Sequence, residues 1–265
     1  MDSEHLTADN ERFAAVILAA GSSSRFLQHS SPRMSSLKKE FHKLNNDDDL
    51  TVLGSAVKAF ASIPSVNIIV IAVPENEEEA GRSSLPPGLF ELKDKKIIFV
   101  NGGKTRSASV FNALSAIIPY NPCYVLIHDG ARPWISAQLI NSIITAVKKH
   151  GAVIPLLPIT DTPKEITDNS GRSTGNNEQL TVSGGQSVFF IKRHLKRKNI
   201  GAAQTPQAFR FPEILHAHEK AAMTADEEFT DDAEIWSRFC ASGGEVAVIP
   251  GEKENRKITF PEDIN

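Results

Sequence analysis

Apolar runs of strand length alternate along this chain with polar turns and with segments of helical periodicity. Residues 13–20 (FAAVILAA) are apolar at every position, the pattern of a strand covered on both faces in a parallel sheet. Similar runs follow as VNIIVIAV within 65–74, IIFV at 97–100, YVLI at 124–127 and GAVIPLLPITDT at 151–162. VFFIKRH, EVAVIPG and the closing ITF (258–260) predict further strands. Between them, apolar residues at helical spacing predict helices over 50–63 (Leu53, Val57, Phe60), 107–118 (Val110, Leu114, Ile117), 137–150 and 212–223. Glu77, Glu78 and Glu79 suit the first turn of another helix, where they complement its dipole. FTDDAEIW reads as one more helix start, with Thr230 or Asp231 as N-cap. Strand and helix in alternation predict one α/β domain.

Composition narrows the setting. The chain has 265 residues, 40% of them hydrophobic and 23% charged, enough for a proper core. A net charge of −3 gives no global attraction to nucleic acid or to an anionic membrane, so anion binding must come from local clusters of Lys and Arg. Cys123 and Cys240 are too few and too far apart for a disulfide framework or a zinc site. Residues 1–12 form a polar tail without the pattern of a signal peptide, and no apolar run has the length of a membrane span. The expectation is a cytoplasmic globular protein.

Polar residues cluster where the predicted strands end. After the first strand, Gly21 tolerates φ > 0 and Ser22, Ser23 and Ser24 allow a tight turn with outward N–H groups; Arg25 adds a fork of donors suited to phosphate. Lys38 and Lys39 lie within a loop's reach, or are simply solvated. After IIFV, NGGKTRSASV offers Gly102 and Gly103 for close approach at the start of a helix. His128, Asp129 and Arg132 follow YVLI, and Asp129 there either holds a divalent cation beside phosphates or caps the next turn. The stretch 165–186 is rich in Asp, Asn, Ser, Gly and Thr and cannot order itself by apolar burial. Beyond it, Lys192, Arg193, Lys196, Arg197 and Lys198 form a basic cluster with no aromatic platform interleaved, which favours a local anion site over a nucleic-acid patch.

In their order along the chain, AAGSSSR, NGGKTRSASV, IHDGARP, DTPK, TPQAF, TDDA and NRKIT resemble the motifs of the 2-C-methyl-D-erythritol 4-phosphate cytidylyltransferase family. The resemblance covers most of the chain. It implies a Rossmann-like, mostly parallel sheet flanked by helices, of the nucleotide-diphospho-sugar transferase (GT-A-like) class, in a single domain over 13–265. It also implies a protruding β-arm over 159–200 that clasps a second subunit in a homodimer. The implied reaction moves CMP from CTP to methylerythritol phosphate and releases pyrophosphate, with Mg²⁺ or another divalent cation as cofactor. Arg25, Lys39 and Lys257 would be the catalytic cations, and Asp129 the metal ligand. Ala19, Ala20, Gly21, Gly103, Arg106, Ser109, Asp129 and Gly130 would bind CTP. Arg132, Thr162, Arg197, Thr205, Thr230 and Asp231, with Lys257, would bind the sugar phosphate.

The sequence departs from that pattern at three places. The loop between Arg25 and the lysine is longer, which leaves Arg33 as a rival to Lys39. Glu40 stands where the motif has Gln, and Lys196 where it has an acid. Ribitol 5-phosphate cytidylyltransferases share the CTP-binding half, so a ribitol phosphate acceptor is the alternative; a non-catalytic nucleotide-binding protein is another.

Overall fold

The computed structural model describes residues 11–30, 37–44, 47–167, 189–224 and 227–264. Most of the 1–12 tail, Arg33 and most of the 165–186 stretch lie outside the described residues. The chain divides into two compact units, Met1–Pro155 with Gln204–Asn265, and Leu156–Ala203.

The sheet contains β1 (Phe13–Leu18), β2 (Val66–Val73), β3 (Lys96–Asn101), β4 (Tyr124–Asp129), β5 (Ala152–Pro158) and β6 (Gln207–Arg210). Their order across it is β5–β6–β4–β1–β2–β3. β1 pairs in parallel with both β2 and β4, and β2 with β3. The chain therefore builds outward from β1 on one side and then returns to its other side. That reversal is the switch point outside which ligands sit in open α/β sheets.

Among the described residues seven α-helices accompany the strands: α1 (Ser24–Gln28), α2 (Val52–Ala61), α3 (Glu78–Ser83), α4 (Arg106–Ala116), α5 (Ala137–His150), α6 (Phe211–Ala222) and α7 (Asp232–Phe239). Thr51, Thr105, Ser136 and Asp231 cap α2, α4, α5 and α7, each side-chain oxygen accepting from a backbone N–H of the first turn. Phe13, Ala15 and Ile17 of β1 share one core with Leu53, Val57 and Phe60 of α2 and Ile140, Ile143 and Val147 of α5. Ala14 and Val16 alternate to the opposite face, and α4 packs against β1. Cover on both faces explains why every residue of Phe13–Ile17 is fully buried.

Three features depart from the sequence expectation. The TPQAF segment contributes β6, an antiparallel strand wedged between β4 and β5, with Ala208 and Phe209 fully buried. ITF is not a strand, because the N–H groups of Thr259 and Phe260 both donate to Asp263 Oδ2 (2.8 Å each) and are lost to any ladder. In the turn after β1, the left-handed residue is Ser23 (φ 52°) and not Gly21.

Within Leu156–Ala203, strand Lys164–Thr167 pairs antiparallel with Phe190–His194. Gly201–Ala203 pairs antiparallel with the Leu156–Pro158 end of β5.

Candidate active site

Three turns meet at the carboxyl ends of β1, β3 and β4. Leu18 stands level with Ala72 on one side and Asp129 on the other, so the strands end at the same height. The Ala19 N–H donates to Ala72 O (2.8 Å), and the Gly102 N–H to Val73 O (2.7 Å). A methyl group on Gly102 would lie 2.2 Å from Ala20 Cβ, and one on Gly103 2.4 Å from Ala108 Cβ. Glycine at 102 lets the two turns touch, and glycine at 103 lets its turn close onto the start of α4. Ser109 is buried behind them; its hydroxyl accepts from the Gly103 N–H (3.0 Å) and donates to Thr105 O (2.9 Å). The Gly130 N–H donates to Leu18 O (2.8 Å). Gly21 is exposed, and Arg25, also exposed, stands in α1 just before the buried anchor Phe26.

Beside these turns Asp129 is ringed by cations. Lys257 Nζ lies 2.9 Å from Oδ2, Arg132 Nε 3.7 Å from Oδ2 and Arg106 Nε 3.8 Å from Oδ1. Burial alone would raise the carboxyl pKa, but Lys257, Arg106 and Arg132 together hold it far below the usual carboxylate range. The Lys257 segment is held in place by the Ile258 N–H donating to Ala131 O (2.8 Å) and by buried Asn255 donating to Thr205 O (2.8 Å). Lys39 reaches the same place from the short turn Lys39–Phe41, its ammonium donating to Ile258 O (2.9 Å). Its pKa is lowered, by burial first and by neighbouring Lys257 and Arg25, against the opposing pull of Glu40 and Asp129. Lys38 donates instead to Gly21 O (3.3 Å).

Buried hydrogen bonds hold this ring. His128 Nε2 faces Arg132 O (3.1 Å), so it carries the proton, and Nδ1 accepts from the Thr205 hydroxyl (3.0 Å). Thr205 Oγ1 in turn accepts from the Asp129 N–H (3.0 Å). Burial lowers the His128 pKa to about 4, so the ring is neutral at physiological pH. Behind Arg106, Asp232 is fully buried: Oδ2 accepts from Arg106 Nη2 (2.8 Å), and Oδ1 lies 3.2 Å from His218 Nε2. Although burial pushes the Asp232 pKa up, Arg106 and His218 bring it down to about 2. The Asp129 and Asp232 carboxylates, for their part, hold the Arg106 guanidinium above its ordinary value against burial. Asp231 caps α7 and accepts from Gln207 Nε2 (2.8 Å).

The fold thus brings together Ala19, Ala20, Gly103, Arg106, Ser109, Asp129, Gly130, Arg132, Thr205 and Lys257, with Lys39 beside them. Thr230 is at the head of α7, where its N–H and hydroxyl both donate to Glu234 Oε2 (2.8 Å each). Thr162 and Arg197 belong to the Leu156–Ala203 unit, both exposed, with the Arg197 guanidinium donating to Thr160 O. There Lys192 and Arg193 pair with Glu165 (3.0 and 2.9 Å). The sequence reading did not foresee His218, Gln207 or Asn255. The one available signal was His218 itself, a polar residue in the apolar stripe Ile214, Leu215, Ala217 and Ala221 of α6.

Among the described residues no group of three or more His, Cys, Asp or Glu side chains could hold a metal ion. Asp129 offers one carboxylate. That donor set suits an ion whose remaining ligands are phosphate oxygens and water, provided Lys257 moves off Oδ2. No helix among the described residues is long and apolar enough to cross a membrane.

Comparison with known proteins agrees with this geometry. The family model described as 2-C-methyl-D-erythritol 4-phosphate cytidylyltransferase (IspD) matches residues 13–265. The bifunctional enzyme IspD/IspF of Bartonella henselae is 35% identical over 253 residues, 95% of this chain and 55% of that protein. The corresponding enzyme of Bradyrhizobium sp. (strain ORS 278) is 34% identical over 257 residues, 96% of this chain and 55% of that protein. The chain spans about half the length of these curated relatives. Among solved structures, 4-diphosphocytidyl-2C-methyl-D-erythritol synthase from Anaerococcus prevotii superposes with a TM-score of 0.72 at 26% identity, covering 97% of this chain and 94% of that one. The cytidylyltransferase IspD of Francisella tularensis gives a TM-score of 0.65 at 26% identity, covering 96% of each chain.

Proposed function

The chain belongs to the 2-C-methyl-D-erythritol 4-phosphate cytidylyltransferase (IspD) family, and from that premise we propose that it transfers CMP from CTP to 2-C-methyl-D-erythritol 4-phosphate in non-mevalonate isoprenoid synthesis. The observation that carries this reading is the convergence of Lys257, Arg132 and Arg106 on Asp129, with Lys39 alongside, at the end of the glycine-dependent turns. In the reaction a phosphate oxygen of the acceptor bonds to the α-phosphorus of CTP, and the bond from that phosphorus to the bridging oxygen breaks to release pyrophosphate. The attacking oxygen is already anionic, so the chain's task is to hold two anions together and to offset charge.

Arg25, Lys39 and Lys257 would stabilise charge on the α-phosphate and on the departing pyrophosphate. Backbone groups of Ala19, Ala20, Gly21, Gly103 and Gly130, with Ser109 and Arg106, would receive the nucleotide. Asp129 would hold Mg²⁺ or another divalent cation, which would supply positive charge to offset the repulsion between the phosphates. The neutral His128 and the Thr205 hydroxyl keep the Asp129 backbone in place while its side chain exchanges partners. Arg132, Thr162, Arg197, Thr205, Thr230 and Asp231 would take the sugar phosphate, the Thr230 hydroxyl exchanging its bond to Glu234 for it. Arg197 would act in a partner's site if the Leu156–Ala203 unit clasps a second copy. A homodimer in the cytoplasm belongs to this proposal.

Pyrophosphate release from CTP and Mg²⁺ tests it, with methylerythritol phosphate and ribitol phosphate offered separately. Release with the first alone is the expected result. Release with ribitol phosphate alone would move the protein to another pathway, and silence with both despite CTP binding would make it a non-catalytic binder.

A further inference from the structure

A carboxylate is buried inside a site built for anions. Glu40 is 3% exposed, and none of the steps above uses it. Its Oε2 accepts from the Ser23 hydroxyl (3.1 Å), on the one left-handed residue of the turn after β1. Its Oε1 lies 4.0 Å from Lys39 Nζ. One side chain thus bonds the turn meant for phosphate and stands at ion-pair distance from the cation meant to act on it, whose own hydrogen bond goes to Ile258 O (2.9 Å). The charged groups facing it are Lys39 on its own turn and Lys257 from the C-terminal segment, while Arg25 and Asp129 act on Lys39 in addition.

Electrostatics gives this arrangement a direction. Without a ligand, burial works against the Lys39 ammonium, and Glu40 is the largest influence keeping it charged. Burial also works against the Glu40 carboxylate and raises its pKa, opposed by Lys39, by its own backbone N–H and by Ser23. A triphosphate arriving at Lys39 replaces the anion that Glu40 supplies, and places further negative charge beside a carboxylate that is already costly to keep ionised.

Resting on the functional reading above, we propose that Glu40 is the resident counter-anion of Lys39: it holds the ammonium and the Ser23 turn in the free protein, and gives up its charge by taking a proton from bulk water when a substrate phosphate takes its place. Glu40 is therefore a positioning residue, acting through Lys39 and Ser23.

Calorimetric titration of the full chain with CTP at pH 6, in two buffers of different ionisation enthalpy, reads the protons taken up on binding. Titration of the nucleotide itself is common to all variants and cancels in the comparison. The wild type is expected to take up a larger fraction of a proton per CTP than Glu40→Gln, a substitution of similar shape that keeps an acceptor for Ser23. Glu40→Asp, which keeps the charge, is expected to restore part of the difference. Equal uptake in wild type and Glu40→Gln, both binding CTP, would overturn the inference and leave the cytidylyltransferase reading standing. No CTP binding by the wild type would sink that reading, and this inference with it.

Discussion

Two regions of the molecule spend charged residues in opposite ways. At the carboxyl ends of β1 and β4, Asp129, Arg106 and Asp232 are joined across 126 residues of sequence through Arg106, and Asp232 is fully buried. In the Lys164–Thr167 and Phe190–His194 hairpin, Glu165 pairs with Lys192 and Arg193 at similar distances, but every residue of Phe190–His194 is exposed. Separation between charged atoms does not set the worth of an ion pair. Where water is excluded, loss of one partner strands a charge, whereas in water the solvent replaces the partner.

The sharpest way to break this contrast is to remove Asp232. Asp232→Ala leaves the buried His218 without its acceptor and the half-buried Arg106 with Asp129 alone, and is expected to cost about 3–5 kcal/mol of stability in chemical denaturation. A midpoint equal to wild type would show that the buried network carries no more than the hairpin. Next in size is Lys39→Ala, which is expected to lower kcat by about 100- to 1000-fold with a much smaller change in CTP affinity, because its charge is needed mostly as the transition state forms. Unchanged turnover would move that role to Arg33. The pH dependence sharpens the comparison further. Asp232 has a folded pKa of about 2 against an ordinary 3.8, so its contribution is complete above that ordinary value and lost as pH falls through the folded one. The expected loss between pH 4 and pH 2 is on the order of 2 kcal/mol beyond that of Asp232→Asn, read from parallel acid denaturation curves. Smallest of all, Glu165→Gln is expected to leave the denaturation midpoint where it was; a clear drop would mean that the hairpin is shielded from water in solution.

The two regions also differ in how far they could be read in advance. The strands around β1 were legible because cover on both faces demands apolar residues at each position, a signal that survives without any alignment. The glycine turn at Gly102 and Gly103 was legible for a related reason, since close approach excludes a side chain. β6 was not, because Gln207 and Arg210 at its ends leave only Ala208 and Phe209 apolar and the strand exists only where β4 and β5 leave a gap. ITF misled in the reverse direction: a strand-like composition lost its N–H groups to Asp263, three to four residues further on.

By itself, then, the sequence determined the parallel sheet, the turns at its carboxyl end and the residue types gathered there, since local periodicity and backbone freedom are properties of neighbouring residues. Only the tertiary structure decided which charges meet. Lys39 and Ile258 are 219 residues apart, and Arg106 could have paired with any exposed acid. Burial selected Asp129 and Asp232 for it, because a charge removed from water is tolerated only beside its opposite, and that choice is made by packing.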